Sequence, residues 1–324
     1  MNLNNKGFAI SSIMYIILVL AIILISLTLA IFSSRRLILD NQKNDALHEI
    51  YQDRFKNGDV VYFDVSKGIG CTEEEYKASY DETTLDYLNS KTGYNGFNNK
   101  TSETDTTLTD KLEIQNSCLK FYAFNDDGGD SINLLLDHNT TAELAWRSSN
   151  SNISGPGEVL VQLQIDTSKW KGTLGPLNYS LNQGEGYANY EIDYSGYNAR
   201  LITAGEIAQI TGNIDFNEFN SDLNEWYYLD SKTSISSTTC KNGDTSGCKY
   251  GWLYDKSYIG CVSYGCLNNC EVDIWGYWTS TSVSESTSEA WYVRFSGNLY
   301  HNYVGVSDVL GVRPVITVLR EKIL

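Results

Sequence analysis

Histidine, basic side chains and the usual catalytic signatures are scarce or missing in this sequence of 324 residues. The three histidines, His48, His138 and His301, are far apart, so a histidine-based metal centre is not expected. Lys and Arg number 24 against 40 Asp and Glu, and the net charge of −16 argues against nucleic acid and anionic lipid as partners. No Gly-x-Ser-x-Gly, P-loop, His-Glu-x-x-His or Gly-x-Gly-x-x-Gly motif occurs in a strand-to-helix setting. We therefore expect no enzyme and no cofactor.

Charge is also missing from Phe8–Phe32, an apolar run of about 25 residues between Lys6 and the pair Arg35-Arg36. A helix of that length would reach about 37 Å, enough to cross a hydrocarbon layer of about 30 Å. We therefore predict a transmembrane helix at residues 8–34. A cleavable signal peptide would be shorter and would end in small residues, whereas a plain signal anchor stays open as an alternative.

The residues at the start of this run, Asn5-Lys6-Gly7-Phe8, resemble the leader junction of type IV pilins and pseudopilins. In that family a prepilin peptidase cuts after a Gly that follows a basic residue, and the new N-terminal Phe is methylated. The resemblance implies cleavage between Gly7 and Phe8, with residues 1–7 as a leader-like tip and pilin-like subunits as partners. Family members usually carry Glu at the fifth mature position, where this chain has Ser12.

Seven cysteines favour an oxidising compartment, because their gaps match no zinc ribbon. The predicted disulfide cysteines are Cys71, Cys118, Cys240, Cys248, Cys261 and Cys266. The first two flank a polar segment and would join its ends, and the other four would close small loops in chain order. Cys270 is then odd, or competes for Cys266. Lys and Arg near the ends of the apolar run weakly favour a cytoplasmic body, but the cysteines favour an extracellular head on a single-pass membrane protein.

The rest of the chain divides into a stalk and a head. From Arg35 to Lys56 apolar residues keep helical spacing, which predicts a helical stalk at residues 35–56. The remaining residues, 57–324, approach the upper limit for one hydrophobic core. We therefore predict one head with a polar insertion near 72–117, where apolar positions are few.

Three elements of the head have clear local signals. Strand patterns at Leu119–Asp126 and Ser131–Asn139 flank an Asp-Gly turn and predict a hairpin. A helix is predicted to open at Pro156, since Pro suits the first helical position. A second helix begins at Thr203, because Thr203 and Glu206 match a capping box.

Ordered motifs in the head carry a second resemblance. They are NGDVVYF at Asn57–Phe63, LLLDHNTT at Leu134–Thr141, ARLITAGEIAQITGN at Ala199–Asn213, YWTSTS at Tyr277–Ser282, AWYVR at Ala290–Arg294 and GVRPVI at Gly311–Ile316. The series resembles the bacterial C-type-lectin-like domains grouped as DUF6273 and the Fibrobacter major paralogous domain, distant relatives of the sulfatase-modifying factor fold. The resemblance implies an α+β fold, in which two helices pack on short antiparallel sheets to form a C-type-lectin-like head on the long N-terminal transmembrane helix.

Structural roles are expected for several residues of these motifs. Trp278, Trp291 and Val293 lie in strand patterns and are predicted to be in the core, since alternation buries one face of a strand. Arg294 and Arg313 are predicted to tie loops together through buried carboxylates or carbonyls.

The binding face is expected at the end of the chain, where C-type-lectin-like folds often place it. The candidate ligand-binding residues are Tyr300, His301, Asn302, Tyr303 and Asp308. They alternate aromatic faces with hydrogen-bonding groups, which suits a sugar or a protein surface. We therefore expect a membrane-anchored minor pilin-like subunit or adhesin that binds an extracellular glycan or protein. A purely structural pilus subunit is the alternative, and an enzyme similar to the sulfatase-modifying factors is disfavoured because no catalytic cysteine pair can be placed.

Overall fold

The computed structural model describes residues 14–15, 17–26, 28, 32, 34–36, 55–78, 118–141, 144–217, 227–230, 248–254, 276–294, 296–306 and 310–323. The chain divides into two compact units, Met1–Arg54 and Phe55–Leu324. Predictions for the leader-like tip, for residues 37–54 of the stalk and for the polar insertion after residue 78 lie outside the described residues.

The first unit corrects the prediction of a transmembrane helix at residues 8–34. Its described residues are helical. Among all described residues, no helix is long and apolar enough to cross a membrane. On those residues the predicted single-pass anchor is wrong, and the extracellular placement of the head, which depended on it, is withdrawn.

The second unit is built mainly from strands. They are β1 (Val60–Asp64), β2 (Ile69–Gly70), β3 (Cys118–Phe124), β4 (Ser131–Leu136), β5 (Thr173–Leu174), β6 (Tyr179–Asn182), β7 (Asn189–Ile192), β8 (Tyr227–Tyr228), β9 (Gly276–Ser282), β10 (Glu289–Arg294), β11 (Asn298–Tyr303), β12 (Leu310–Gly311) and β13 (Val315–Leu319). The helices are α1 (Glu73–Ala78), α2 (Glu158–Thr167), α3 (Ala204–Thr211) and α4 (Gly251–Tyr254), followed by a 3-10 turn at Arg320–Lys322.

The strands form three sheets. One has six strands in the order β2-β1-β3-β4-β13-β5, one has five in the order β12-β9-β10-β11-β8, and β6 pairs with β7. The pairing of β3 with β4 confirms the predicted hairpin. The strand β13 lies between β4 and β5, with Val315 opposite Leu135. It is therefore an interior strand of the largest sheet, next to the edge strand β5. All pairs are antiparallel except β12 with β9.

This architecture corrects the predicted α+β class. The described residues form 13 strands in three sheets, and their helices are short, from the 4 residues of α4 to the 10 of α2. Four of the strands have only two residues, β2, β5, β8 and β12. A strand of two residues is too short to leave a periodic signal in the sequence.

The core lies on both faces of the central strands. In β4, Leu134 belongs to one hydrophobic cluster and Leu135 to the other. In β9 and β10, Trp278 and Tyr292 join the first cluster, and Trp291 joins the second. Alternation sends successive side chains to opposite faces, and here both faces are buried. Apolar residues therefore follow one another directly in β4, as LLL, and in β10, as AWYV.

The structure confirms the structural roles predicted for three core residues and for Arg313. Trp278, Trp291 and Val293 are fully buried, which confirms their core assignment. Arg313 is also fully buried and donates from Nε to the Leu136 carbonyl at 2.6 Å, with further bonds to the last helical turn of α4. This confirms that Arg313 ties segments together through carbonyls.

The helix starts show which local signals were sufficient. The α3 capping box is present as predicted, with Thr203 and Glu206 bonding each other's backbone N–H groups. Helix α2 begins at Glu158 after Gly157, so Pro156 lies before the helix and not at its first position. Gly157 makes no side-chain cap, which leaves the start of α2 to tertiary contacts.

The disulfide predictions are confirmed in part. Cys71 and Cys118 are bonded and connect the end of β2 to the start of β3. Cys248 is also disulfide-bonded. The other cysteines, Cys240, Cys261, Cys266 and Cys270, lie outside the described residues.

Candidate binding cavity

A cavity of about 610 Å³ lies in the second unit, where the edge of the six-stranded sheet meets β6, β9 and the start of α3. Its lining includes Asn133, Leu177, Tyr179, Arg200, Glu206 and Ser280. Ligand pockets of proteins commonly have volumes of roughly 300–1,000 Å³. The cavity is therefore large enough for a small ligand.

The backbone holds Arg200 firmly at this cavity. The Arg200 N–H donates to the Val315 carbonyl at 2.9 Å, and the Val315 N–H donates back to the Arg200 carbonyl at 2.8 Å. Val315 belongs to β13, an interior strand of the largest sheet, so these bonds join Arg200 directly to that sheet.

The capping box of α3 fixes Glu206 on the same wall. The Thr203 N–H donates to Glu206 Oε2 at 2.9 Å, and the Glu206 N–H donates to Thr203 Oγ1 at 3.0 Å. The helix ends at Gly212, whose φ of 72° is favourable only for a residue without a Cβ. Helix α3 therefore has defined ends, and its first turn presents a carboxylate to the cavity.

Arg200 and Glu206 form a bidentate ion pair. Arg200 Nη2 lies 2.6 Å from Glu206 Oε1, and Nη1 lies 2.8 Å from Oε2. Burial alone would lower the pKa of the Arg200 guanidinium, but the charge and hydrogen bonds of Glu206 outweigh it and raise that pKa. The side chains are 14% and 21% exposed, so both charges stay within reach of a ligand.

One side of the cavity is apolar and aromatic. Leu177 lines the cavity, and its side chain is 87% exposed. Tyr179 packs against the first hydrophobic cluster, with its ring 6.2 Å from that of Tyr190. Tyr194 is fully buried, and burial raises the pKa of its hydroxyl, which is therefore neutral at physiological pH. An apolar ligand face has a matching surface here.

The other side offers hydrogen-bonding groups. Asn133 Oδ1 accepts from Thr317 Oγ1 at 2.9 Å, and the amide orientation this fixes leaves Nδ2 for other acceptors. On the same lining Asn178 is exposed, and Thr203 is half-buried. Ser280 also belongs to the lining, but its side chain is fully buried and has no surface that a ligand could reach.

The predicted binding residues at the β10–β11 hairpin lie elsewhere. Tyr300 packs against the first hydrophobic cluster, and its ring is stacked 4.9 Å from that of His301. His301 Nδ1 lies 3.1 Å from Glu289 Oε1, where the carboxylate can accept a hydrogen bond from the imidazole.

Of these residues only Tyr303 is largely exposed, at 62%. The other described members are half-buried. Asp308, and the processing residues Gly7 and Phe8, lie outside the described residues. Binding at the hairpin stays a prediction.

Sequence reasoning missed the cavity although it identified part of its wall. The capping box was visible because Thr203 and Glu206 are three residues apart, and the pattern is local. Asn133 lies 67 residues from Arg200 in sequence, so no local pattern could place them together. The available signal was an Arg a few residues before a capping-box Glu, which suits a second bond to that carboxylate.

Comparison of the chain with protein-family models, curated proteins and solved structures found no match. The resemblance to C-type-lectin-like domains therefore depends on its sequence motifs alone. Function is inferred from the geometry and chemistry of the cavity.

Proposed function

We propose that residues 55–324 form a binding module that holds a glycan in the cavity beside Arg200 and Glu206. The observation that carries this proposal is the composition of the walls, which combine an exposed Leu177 and the ring of Tyr179 with the polar side chains of Asn133, Asn178 and Thr203. Sugars have both apolar ring faces and rows of hydroxyls, and sites for them combine aromatic or apolar surface with hydrogen-bonding groups.

The shape of the site favours a glycan over a protein partner. Stable protein interfaces bury roughly 1,200–2,000 Å² and are broad surfaces. A concave cavity of about 610 Å³ suits one or two sugar units instead.

Binding is favoured over catalysis by the state of the charged pair. Glu206 already accepts bonds from Arg200 and from the Thr203 N–H. Both of its carboxylate oxygens are therefore engaged within the protein and are not directed at a ligand. The pair therefore serves to shape the cavity.

The test uses a variant that fills the cavity. Gly175 lines it, and a Cβ added there would have no heavy atom within 4 Å, so Gly175→Trp should fold normally. We expect this variant to bind an array of printed oligosaccharides at least about tenfold more weakly than the unmodified chain, because the indole would occupy the site. Ile214→Trp is the control, since Ile214 is 87% exposed and is not part of the lining.

A second pair of variants removes apolar surface without filling space. Leu177 and Ile214 are both 87% exposed, but only Leu177 lines the cavity. We expect Leu177→Ala to weaken binding about fivefold, from roughly 1 kcal/mol of lost apolar contact, and Ile214→Ala to leave it unchanged. The proposal fails if no oligosaccharide binds, or if Gly175→Trp binds normally while Tyr303→Ala does not, which would move the site to the hairpin.

A further inference from the structure

The charged pair bears on which glycans the cavity accepts, an inference that rests on the proposed function. Among the described residues that line the cavity, Arg200 and Glu206 are the only charged ones. They are bonded to each other through two oxygen–nitrogen pairs, at 2.6 and 2.8 Å. The cavity therefore carries one positive and one negative charge that already neutralise each other.

The terminal nitrogens of Arg200 have no donor left for an anion. Nη1 donates to the Leu201 carbonyl at 3.2 Å as well as to Glu206, and Nη2 donates to Asn133 Oδ1 at 3.5 Å as well as to Glu206. Each terminal nitrogen of a guanidinium carries two hydrogens, so both are in use. A ligand carboxylate would have to displace Glu206 from the guanidinium.

Displacing Glu206 would also disturb α3. The same carboxylate accepts the Thr203 N–H, which is the first half of the capping box. Loss of an N-terminal cap destabilises a helix, and an anionic ligand would have to overcome this in addition to its own desolvation. Negative charge is thus disfavoured by geometry, and the net charge of −16 of the chain acts in the same direction.

A cationic ligand is disfavoured by the other member of the pair. A ligand ammonium near Glu206 would lie next to the Arg200 guanidinium, which is only 14% exposed and is held in place by β13. Like charges at such short range repel, and repulsion is weakly screened where water is excluded.

Neutral groups remain as the available bonding positions. Ser131, Asn133 and Asn178 lie on the lining, and all three side chains are polar and uncharged. A hydroxyl or an amide of the ligand can both donate and accept, so it can satisfy each group without a change of charge. We infer that the cavity selects uncharged, hydroxyl-rich glycans, and that the Arg200–Glu206 pair excludes acidic and basic sugars.

The first test compares ligand charge on the unmodified full chain. The probes are a printed array of neutral, uronic-acid, sialic-acid and amino-sugar oligosaccharides, followed by calorimetry with the best neutral oligosaccharide and its C6-oxidised acidic form. We expect the acidic form to bind at least about tenfold more weakly. Equal or tighter binding of acidic or amino-sugar probes would overturn the inference while leaving the proposed function intact. No binding by any probe would instead overturn the proposed function.

The second test reverses the selectivity. Glu206→Gln removes the negative charge but keeps a capping-box residue, since Gln serves in this motif as Glu does. It also frees part of the Arg200 guanidinium, so we expect the acidic form to gain at least about tenfold relative to the neutral one. Glu191→Gln, which removes the same charge at an exposed position outside the lining, should leave the ratio unchanged. An unchanged ratio in folded Glu206→Gln would overturn the inference, and the probe comparison on the unmodified chain decides it if that variant does not fold.

Discussion

Removing the disulfide between Cys71 and Cys118 should cost a large part of the stability of the second unit. The two residues are 47 apart in sequence, so the bond closes a long loop in the unfolded chain. The loop-closure relation gives about 4 kcal/mol at 25 °C for a loop of this length. For a unit of this size each kcal/mol moves the melting temperature by about 2–4 °C, so the loss should be about 8–16 °C.

The assay is thermal and urea unfolding of the full chain followed by circular dichroism. Both cysteines are replaced by alanine, because Cys118 is only 3% exposed and a serine hydroxyl would be buried there. Each single alanine variant breaks the same bond, so the single and double variants should have nearly the same free energy of unfolding. This equality separates the cross-link from ordinary packing of the two side chains.

A reducing agent provides the control. When the disulfide of the unmodified chain is reduced, its free energy of unfolding should fall to that of the double variant measured under the same conditions. The reasoning would be refuted by a double variant within about 1 kcal/mol of the unmodified chain, or by a difference of several kcal/mol that persists after reduction. Either result would place the stabilisation in side-chain packing and not in the restricted unfolded chain.

Two further predictions concern buried charges. Arg313→Met should lower the free energy of unfolding by about 3–5 kcal/mol in urea titrations, because three buried carbonyls lose their donor, whereas Lys322→Met at an exposed position should change it by less than about 0.5 kcal/mol. A loss below about 1 kcal/mol for Arg313→Met would contradict its role as a tie. Burial raises the pKa of Asp64, but bonds from Lys67 and Ser66 together outweigh it and lower that pKa. The stabilisation by Asp64 is therefore complete above its unfolded pKa of about 3.9 and lost as the pH falls through its lower folded pKa. Asp64→Asn should be less stable by about 1–3 kcal/mol at pH 7, and its difference from the unmodified chain should shrink below about pH 4, whereas a difference independent of pH would exclude this account.

Elements with a local cause were predictable from the chain. The hairpin of β3 and β4 follows from an Asp-Gly turn between apolar runs, and α3 follows from a capping box within four consecutive residues. The bond between Cys71 and Cys118 followed from two cysteines on either side of a polar segment. In each case the deciding contacts lie between residues that are close in sequence or bracket one segment.

The errors have physical reasons of the same kind. Hydropathy predicted a membrane helix at residues 8–34 because it counts apolar residues along the chain, whereas no helix among the described residues is long and apolar enough to cross a membrane. The α+β class was wrong because the two-residue strands β5, β8 and β12 are defined by partners far along the chain. A strand that short has no periodicity of its own.

The sequence by itself determined the composition, the charge balance, the capping box and the apolar strands that must be buried. The tertiary structure alone decided that β13 pairs between β4 and β5 in the six-stranded sheet. It also decided that Arg200 is attached to β13 by a pair of backbone hydrogen bonds. Those pairings brought Asn133, Arg200 and Ser280 to one cavity from three distant parts of the chain. Long-range hydrogen bonding fixes such a site, and its energy depends on all the strands at once, so no local stretch of residues encodes it.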